Sequence, residues 1–537
     1  MTPGEATARV RAYHERTKHR LDRYAAGPGS LDWDAQPDPF RHWTGSPRLA
    51  LPRALPDLAV AWDELDADRE PAALTLDNLA VLLRLCAALT AWKEYAGSRW
   101  ALRANPSSGN LHPTETWVMA RGVAGMADGL YHYQPRDHSL ELRADSPHTP
   151  AGEGPGLGGQ PGETALWLGF SSIPWREAWK YGERAFRYCQ LDMGHLLAAV
   201  AAAAAVLGWA PRLQNLEPER LAQVLGLDRD DDYQGVEAEE PECLLALHPA
   251  PGAPVPGGWG QWYGRPGLLD PKPLYQWPVI DEVAQASRGV LPPLLPPARP
   301  PSPGRGAEGE GTPGRDPASP SATAVILKRR SAQAFDGRSE MPLASFAALI
   351  AALLPGGSPA WRLWSLAPRV HPVLMVHRVS GLAPGVYILP RSAHGEGALR
   401  QALRQDLAWE RAQGMADLPL IHLIRAKCAN AARTVSCHQD IAAQCAVAAM
   451  FVAEFDGPLG ENPAAYRHLH WEAGMLGHQF YLEAEARGWR ATGIGCFFDD
   501  AMHEILGLTD QRFQVLYHIA VGMPVDDPRL LTRPAYD

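Results

Sequence analysis

Two places in the chain combine residue types that can hold a small anionic ligand. Arg329, Arg330 and Ser331, inside "VILKRRSAQAFDG", set two guanidinium forks beside a hydroxyl. That trio suits a phosphate. Planar, bidentate, charge-assisted bonds to an anion each contribute about 1.5–3 kcal/mol. The trio reads as lying just before a helix. The second place is "NPSSGNLHPTE", residues 105–115, where Pro106, Ser107, Ser108, Gly109 and Asn110 precede His112-Pro113. Such a loop either turns the chain or holds a ligand with its backbone and hydroxyls.

Positioning these residues requires ordered elements, and the sequence repeats its elements. "FRYCQLDMGHLLAAVAAAAAVLGW" (186–209) and "YRHLHWEAGMLGHQFYLEAEARGW" (466–489) align at a constant offset of 280 residues. Arg187, Asp192, Gly194, Gly208 and Trp209 thereby match Arg467, Glu472, Gly474, Gly488 and Trp489. Both segments read as long helices ending at a glycine C-cap. "TLDNLAVLLRL" from Thr75 is echoed by "PLASFAALIAALL" from Pro342, both with helical period. His112-Pro113 is echoed by His371-Pro372. "DGLYHYQPRDHSLELR" from Asp128 is echoed by "PGVYILPRSAHGEGALR" from Pro384, each reading as strand, turn and strand. Between the halves, Leu291–Ala324 is Pro-, Gly- and Ser-rich and reads as a semi-rigid tether. The expected organisation is an extension over 1–56, a first domain over 57–290, the linker over 291–324 and a second domain over 325–537. Helices and strands mix without regular βαβ alternation, which favours an α+β fold. A domain packed on its own copy forms an internal pseudo-dimer, held by the tether at an effective concentration on the order of millimolar.

The repeat also tests the two candidate places. Arg330 lies 13 residues before Leu343; the residue 13 before Leu76 is Asp63, followed by Glu64. The first half has acids where the second has bases. Ahead of His371-Pro372 stand Ser365, Leu366, Ala367, Pro368 and Arg369, without the small polar loop. One half keeps the loop and the other keeps the arginines. Complementary losses of this kind are expected if one ligand sits between the halves, each supplying one wall.

"RRSAQAF", "PSSGNLHP" and "GWRATGIGCFF" resemble motifs of the nitroreductase-like flavoproteins. "YHERTKH", "RANPSSGNLHPTE", "KYGERAFRY" and "DGLYHY" are similar to motifs of its SagB-type (ThcOx) dehydrogenase branch. The resemblance covers nearly the whole chain outside the linker. It implies two nitroreductase-like α/β sandwich domains in one chain, with FMN at their interface. By resemblance Arg329, Arg330 and Ser331 hold the flavin phosphate, with Arg529 as a further basic candidate. Pro106, Ser107, Ser108 and Asn110 form the opposite wall, and Gly493, Ile494 and Gly495 lie at the flavin N5 edge. Glycines there let a backbone approach a planar ring without a Cβ clash, and a peptide N–H can support N5. About one FMN per chain is expected, since the second pseudo-symmetric site has lost both walls.

The resemblance further implies oxidation of azoline rings in a small molecule or peptide. The branch's Lys-Tyr pair falls on Lys180 and Tyr181. Both titrate near pH 10 when free, so a base there needs burial or a cationic neighbour such as Arg184 or Arg187. The alternatives are an NAD(P)H-dependent nitro or quinone reductase, and a non-catalytic flavin-binding or scaffold protein.

Composition excludes other classes. A net charge of −10 argues against nucleic-acid binding. The basic run Arg9–Arg23 is diluted by Glu15 and Asp22 and reads as a solvated helix face. Seven scattered cysteines with no CxxC pair give neither a zinc nor a disulfide framework. His468, His470 and His478 lack a carboxylate partner in register, so no metal site is expected. Ser436-Cys437 could supply a nucleophile, but no base can be assigned, and a buried thiol is the commoner case. The glycine strings at Gly154, Gly156, Gly159 and at Gly309, Gly311, Gly314 follow no strand and open no helix, so no dinucleotide fold is read from them. The start carries no apolar signal segment, and the run Leu196–Ala210 is shorter than the ~18 residues of a membrane span. A cytoplasmic, membrane-free protein is expected, and the internal pseudo-dimer allows a monomer.

Overall fold

The computed structural model describes residues 1–146, 164–247, 255, 257–295 and 319–536. The glycine strings and most of the expected linker lie outside those residues. At the centre two long helices cross, Ala185–Val206 and Ala465–Ala486, offset by the same 280 residues at both ends. Both end in a left-handed glycine, Gly208 (φ 67°) and Gly488 (φ 75°), the conformation that a Cβ disfavours. Gly194 and Gly474 meet at the crossing. A Cβ on Gly194 would come within 2.1 Å of the Trp471 carbonyl oxygen, and one on Gly474 within 2.1 Å of the Leu191 carbonyl oxygen. Leu191 and Trp471 are themselves a matched pair, so the contact obeys a local twofold axis. Every residue of Ala185–Val206 is buried. The helical stretch Pro174–Val206 is long and apolar enough to cross a membrane by length and composition, longer than its sequence suggested, but its most apolar 18 residues are entirely buried in protein.

Each half carries a seven-stranded antiparallel sheet, and the two share their order except at one edge, where the outer strand precedes the rest of the sheet in the first half and interrupts it in the second. In the first, Arg48–Ala50 is followed across the sheet by Ser139–Asp145, Gly129–Gln134, Thr114–Arg121, Ala165–Ser172, Glu240–Ala246 and Arg212–Leu213. In the second the corresponding strands are Glu410–Arg411, Ile421–Arg425, Gly385–Ile388, Val370–Val376, Val447–Glu454, Phe513–Gly522 and Arg490–Ile494. Together with the helices this is an α+β sandwich duplicated into an intramolecular pseudo-dimer. The helical pair Leu76–Cys86 and Leu343–Ala352 also repeats. The strand–turn–strand echo does not. After Gly385–Ile388 the second half forms a helix, Ala393–Ala402, because Ser392 accepts from the Gly395 N–H and caps it.

The halves exchange arms. Helix Pro3–Arg16 docks on the second half: the Thr7 hydroxyl donates to the Leu459 carbonyl (3.0 Å), and His14 bonds to Tyr466 and Gln514. The stretch Arg9–Arg23 is solvated only in part: Arg9, Arg11, Arg16 and Arg23 are exposed, while Val10, Tyr13, His14 and Lys18 are buried. Lys18 is 2% exposed and pairs with Asp500 at 2.7 Å, so the acids opposite, not water, hold this charge. Reciprocally, Leu531–Arg533 adds a strand to the hairpin Leu89–Tyr95/Ser98–Arg103 of the first half. Tyr536 donates to the Pro135 carbonyl and accepts from the Leu89 N–H. The described ends of the Pro-rich segment are docked too: the Leu295 N–H donates to the Ser365 carbonyl, and Ala322–Lys328 is a short helix.

A cavity at the seam between the halves

A cavity of about 790 Å³ opens between the two halves. From the first half Pro106, Ser107, Ser108, Asn110 and Tyr181 line it; from the second, Arg329, Arg330, Ser331, Gly493, Ile494 and Gly495. Ser107 and Arg330, which share no sequence neighbourhood, thus face one space. The arginines follow the helix Ala322–Lys328 rather than precede one, because Ala322, Val325 and Ile326 bury an apolar face that ends at Lys328. Arg529 lies outside the cavity. It is largely exposed and tied to Asp527 at 2.7 Å.

The basic wall has unusual electrostatics. Arg329 is buried and donates to the carbonyls of Arg103 (2.8 Å) and Ala104 (3.0 Å), two residues before Pro106, and so joins the two walls. Arg330 donates to the carbonyls of Leu327 (2.9 Å) and Arg329 (2.6 Å). Among the described residues neither arginine pairs with a carboxylate, although both carry a buried or half-buried charge. Lys93 and Arg490 stand on the same wall. Burial lowers the pKa of Arg330 to about 10, and repulsion from Arg329 and Arg490 adds to it. Lys93 is lowered by burial and by Arg330. Arg490 pairs with Asp526 at 2.7 Å, and the crowding of Arg329, Arg330 and Lys93 beside that pair favours an anion there.

The polar loop spends its side chains on protein partners. The Ser108 N–H and hydroxyl both donate to Asp192 at 3.0 Å. The Ser107 oxygen accepts from the His112 N–H at 2.8 Å, and the Asn110 amide donates to the Ala101 carbonyl at 2.9 Å. Gly109 (φ 59°) lies against Tyr181: an added Cβ would be 2.5 Å from the phenol oxygen and 3.2 Å from Lys180 Nζ. The loop, Lys180 and Tyr181 are one packed unit. Burial lowers the Lys180 pKa, with Glu177 opposing, and raises that of Tyr181. Arg184 and Arg187 do not tune this pair. Both guanidiniums bind Asp499 (2.9 and 2.6 Å) in a separate buried cluster.

The glycine segment is the end of an edge strand, Arg490–Ile494, paired with Phe513–Gly522. The Gly493 N–H donates to Tyr481 Oη (2.7 Å), which also bonds the Ser331 hydroxyl (2.9 Å). A Cβ on Gly493 would strike the Tyr517 hydroxyl at 1.9 Å, and one on Gly495 the Tyr188 ring at 2.5 Å. Only glycine keeps these tyrosines in place. Sequence reasoning did not single out Lys93, Arg490, Tyr481 or Tyr188 as site residues. Arg490 stood inside "GWRATGIGCFF" and could have been found there; Lys93 lies on a hairpin with no echo in the second half. His468, His470 and His478 are buried along the second crossed helix, and no cluster of metal-ligating side chains occurs among the described residues.

The other side of the crossed helices is filled. Asp63 pairs with Arg487 (3.1 Å) and Asp66 with Arg362 (3.0 Å). Helix Pro359–Leu363 packs against Ala185–Val206, with Trp361 and Trp364 buried. Arg391 lies over the Trp361 ring (4.0 Å) and pairs with Glu472, the match of Asp192.

Comparisons agree with this geometry. Residues 326–523 match the model of the nitroreductase family. The trifolitoxin-processing protein TfxB of Rhizobium leguminosarum bv. trifolii is 32% identical over 145 residues, 26% of this chain and 39% of that protein. MJ1384 of Methanocaldococcus jannaschii, named as a nitroreductase, is 30% identical over 113 residues, 19% of this chain and 52% of that protein. The matches thus span about two fifths and one half of these curated relatives. A crystal structure from Anabaena variabilis, described as a nitroreductase, superposes with a TM-score of 0.64 at 22% identity, covering 96% of this chain and 99% of that one. It shares the tandem fold.

Proposed function

From the match of residues 326–523 to the nitroreductase family model and the cavity at the seam, we propose that the chain is an FMN-dependent oxidoreductase of the SagB-type dehydrogenase kind. It would take one FMN per chain and act on an azoline-containing peptide or small molecule. The observation that carries this reading is the pair Arg329 and Arg330, which face the seam cavity without a carboxylate partner among the described residues. The donor set fits the flavin phosphate: Arg330, Lys93 and Arg490 as cations, and Ser331 as a hydroxyl. The recess kept open by Gly493 and Gly495 fits a flat ring. When bound, FMN supplies a two-electron acceptor for the substrate hydride.

The chain's own part is proton handling and orientation. Lys180, whose pKa burial lowers, takes the carbon-bound proton of the ring being oxidised. Tyr181, whose pKa burial raises, stays a neutral phenol at pH 7 and serves as a hydrogen-bond donor. Gly109 packs against both side chains, and Tyr181 lines the cavity. The partial match to a trifolitoxin-processing protein supports a peptide substrate. The partial match to a protein named as a nitroreductase favours the second reading, a reductase fed by NAD(P)H.

An absorption spectrum of the purified protein with flavin quantified against chain tests the reading. The expected ratio is near one; a colourless protein would remove the redox role. Adding NADPH without oxygen then separates the two reactions. A dehydrogenase keeps its yellow colour with NADPH and bleaches with an azoline peptide, and the reverse pattern would establish the reductase. Lys180→Ala should retain flavin and lose peptide oxidation.

A further inference from the structure

We infer that Cys437 and Cys496 form a redox-active dithiol on the cavity wall, which takes a small organic disulfide as its oxidant. Of the seven cysteines, five are buried, and these two are half-exposed. This departs from the buried thiol expected at Cys437. Cys496 lines the seam cavity directly after Gly495. The two thiols are brought together by backbone register. The Phe498 N–H donates to the Val435 carbonyl at 2.9 Å, and Cys437 and Cys496 each stand two residues from that contact along their segments. Gln439 ties the same segments, donating from its amide to the Ser436 carbonyl (3.0 Å) and the Cys496 carbonyl (2.9 Å). Each thiol lies close enough to the other to influence its ionisation.

The Cys437 loop is held in a conformation with little independent stability. Cys437 (φ 52°) and His438 (φ 60°) are consecutive left-handed residues, a region residues with a Cβ rarely occupy. Around Cys496 the surroundings favour a thiolate. His19 favours the ionised form and is itself oriented by the Ala25 N–H, which donates to His19 Nδ1 at 2.9 Å. Arg184 adds a nearby positive charge. Cys437 is the largest influence lowering the Cys496 pKa, against burial. A thiolate that is accessible and beside a second thiol is the arrangement that exchanges with disulfides.

The step is a double exchange. The Cys496 thiolate attacks one sulfur of a disulfide RSSR, forming a mixed disulfide and releasing RS⁻. The Cys437 thiol then loses its proton and attacks the Cys496 sulfur, forming the Cys437–Cys496 bond and releasing the second RS⁻. The protein is oxidised by two electrons and RSSR is reduced to two thiols. Closure cross-links the Ser436–Gln439 loop to the segment after Gly495, so the thiol state sets the cavity wall. No flavin is needed, so this site can be tested apart from the cofactor assignment.

The test uses the full chain, reduced, desalted and exposed to oxidised glutathione, followed by acid quenching, alkylation and peptide mass mapping. The expected product is a Cys437–Cys496 peptide cross-link and a loss of two mass units without retained glutathione. Cys437→Ser should trap one glutathione on Cys496, and Cys496→Ser should trap none at Cys437 on the same timescale. In the reduced protein Cys496 should alkylate about tenfold or more faster than the five buried thiols. Independent glutathione adducts on both cysteines of the wild type, or no cross-link with Cys496 no faster than the buried thiols, would overturn the assignment. The wild-type measurement decides even if a variant fails to fold.

Discussion

The two sides of the crossed helices are built from the same elements and end in opposite states. On one side Ser108 and Asp192 support an open wall, and Arg329 and Arg330 line a cavity of about 790 Å³. On the other, Glu472 stands at the Asp192 position but binds Arg391, and Trp361 and Trp364 fill the space. A true homodimer must carry the same groove twice, since a twofold axis repeats every contact. Joining the copies in one chain removes that constraint. The contrast shows what a groove needs: the central helix pair is common to both sides, so openness is decided by short segments at the rim. The hairpin Leu89–Tyr95/Ser98–Arg103 holds one rim apart, and Pro359–Leu363 closes the other.

The largest expected difference between the two sides is at the matched positions Arg330 and Asp63. Arg330→Ala should weaken FMN retention by about 100-fold or more, since at least two charge-assisted bonds of roughly 1.5–3 kcal/mol each are lost. Asp63→Ala should leave the flavin-to-chain ratio unchanged. Equilibrium dialysis of FMN against both variants measures this. Equal loss in both would mean the filled side also binds cofactor.

The crossing itself should behave symmetrically. Gly194→Ala and Gly474→Ala each put a Cβ about 2.1 Å from a backbone carbonyl that cannot move without shifting its helix. Overpacking of this kind costs about 1–3 kcal/mol, and both variants should sit near the top of that range and within ~1 kcal/mol of each other. Urea unfolding followed by tryptophan fluorescence gives the two values. A large inequality would show that the local twofold does not extend to the energetics.

The matched acids should differ in pH response. Burial raises Asp192 to about 7, with Ser107 and Ser108 opposing. Glu472 is raised by burial but opposed mainly by Arg391. With a folded pKa above the unfolded value, the native state holds the extra proton between roughly pH 4 and 7. Stability therefore falls as pH rises through that window. Asp192→Asn should remove this share, flattening the decline by about 2 kcal/mol between pH 5 and 7. Denaturant midpoints of wild type and variant across that range decide it; parallel curves would contradict the assignment.

Much of this was legible because the duplicated helix pair repeats strict contacts. Arg187, Gly194, Gly208 and Trp209 recur at one offset because a crossing, a cap and a terminal ring each tolerate few residue types. The shared cavity followed from the mismatch between Asp63 and Arg330. What could not be read was set by packing across the seam. Nothing in "AWKEY" places Lys93 beside Arg330, because distant segments, the added strand Leu531–Arg533 and the Arg329 guanidinium, fix that hairpin. The helix Ala393–Ala402 escaped because its strand-like echo is overridden by the Ser392 cap. The roles of the serines were also hidden. Their hydroxyls looked ligand-directed, but Asp192, 84 residues away, claims Ser108.

Arg529 gives the smallest expected effect and the sharpest boundary for the open side. By resemblance a basic residue near the C-terminus belongs on the phosphate. Here the neighbours Asp527, Pro528 and Leu530 line the cavity, while Arg529 turns outward, bonded to Asp527 and over the Tyr95 ring. Surface pairs of this kind contribute little and are screened by salt. Arg529→Ala should therefore leave FMN retention within about twofold of wild type, by the same dialysis that separates Arg330→Ala from Asp63→Ala. A drop approaching that of Arg330→Ala would mean the arm swings Arg529 inward when an anion binds. The open wall would then be completed by ligand rather than preformed.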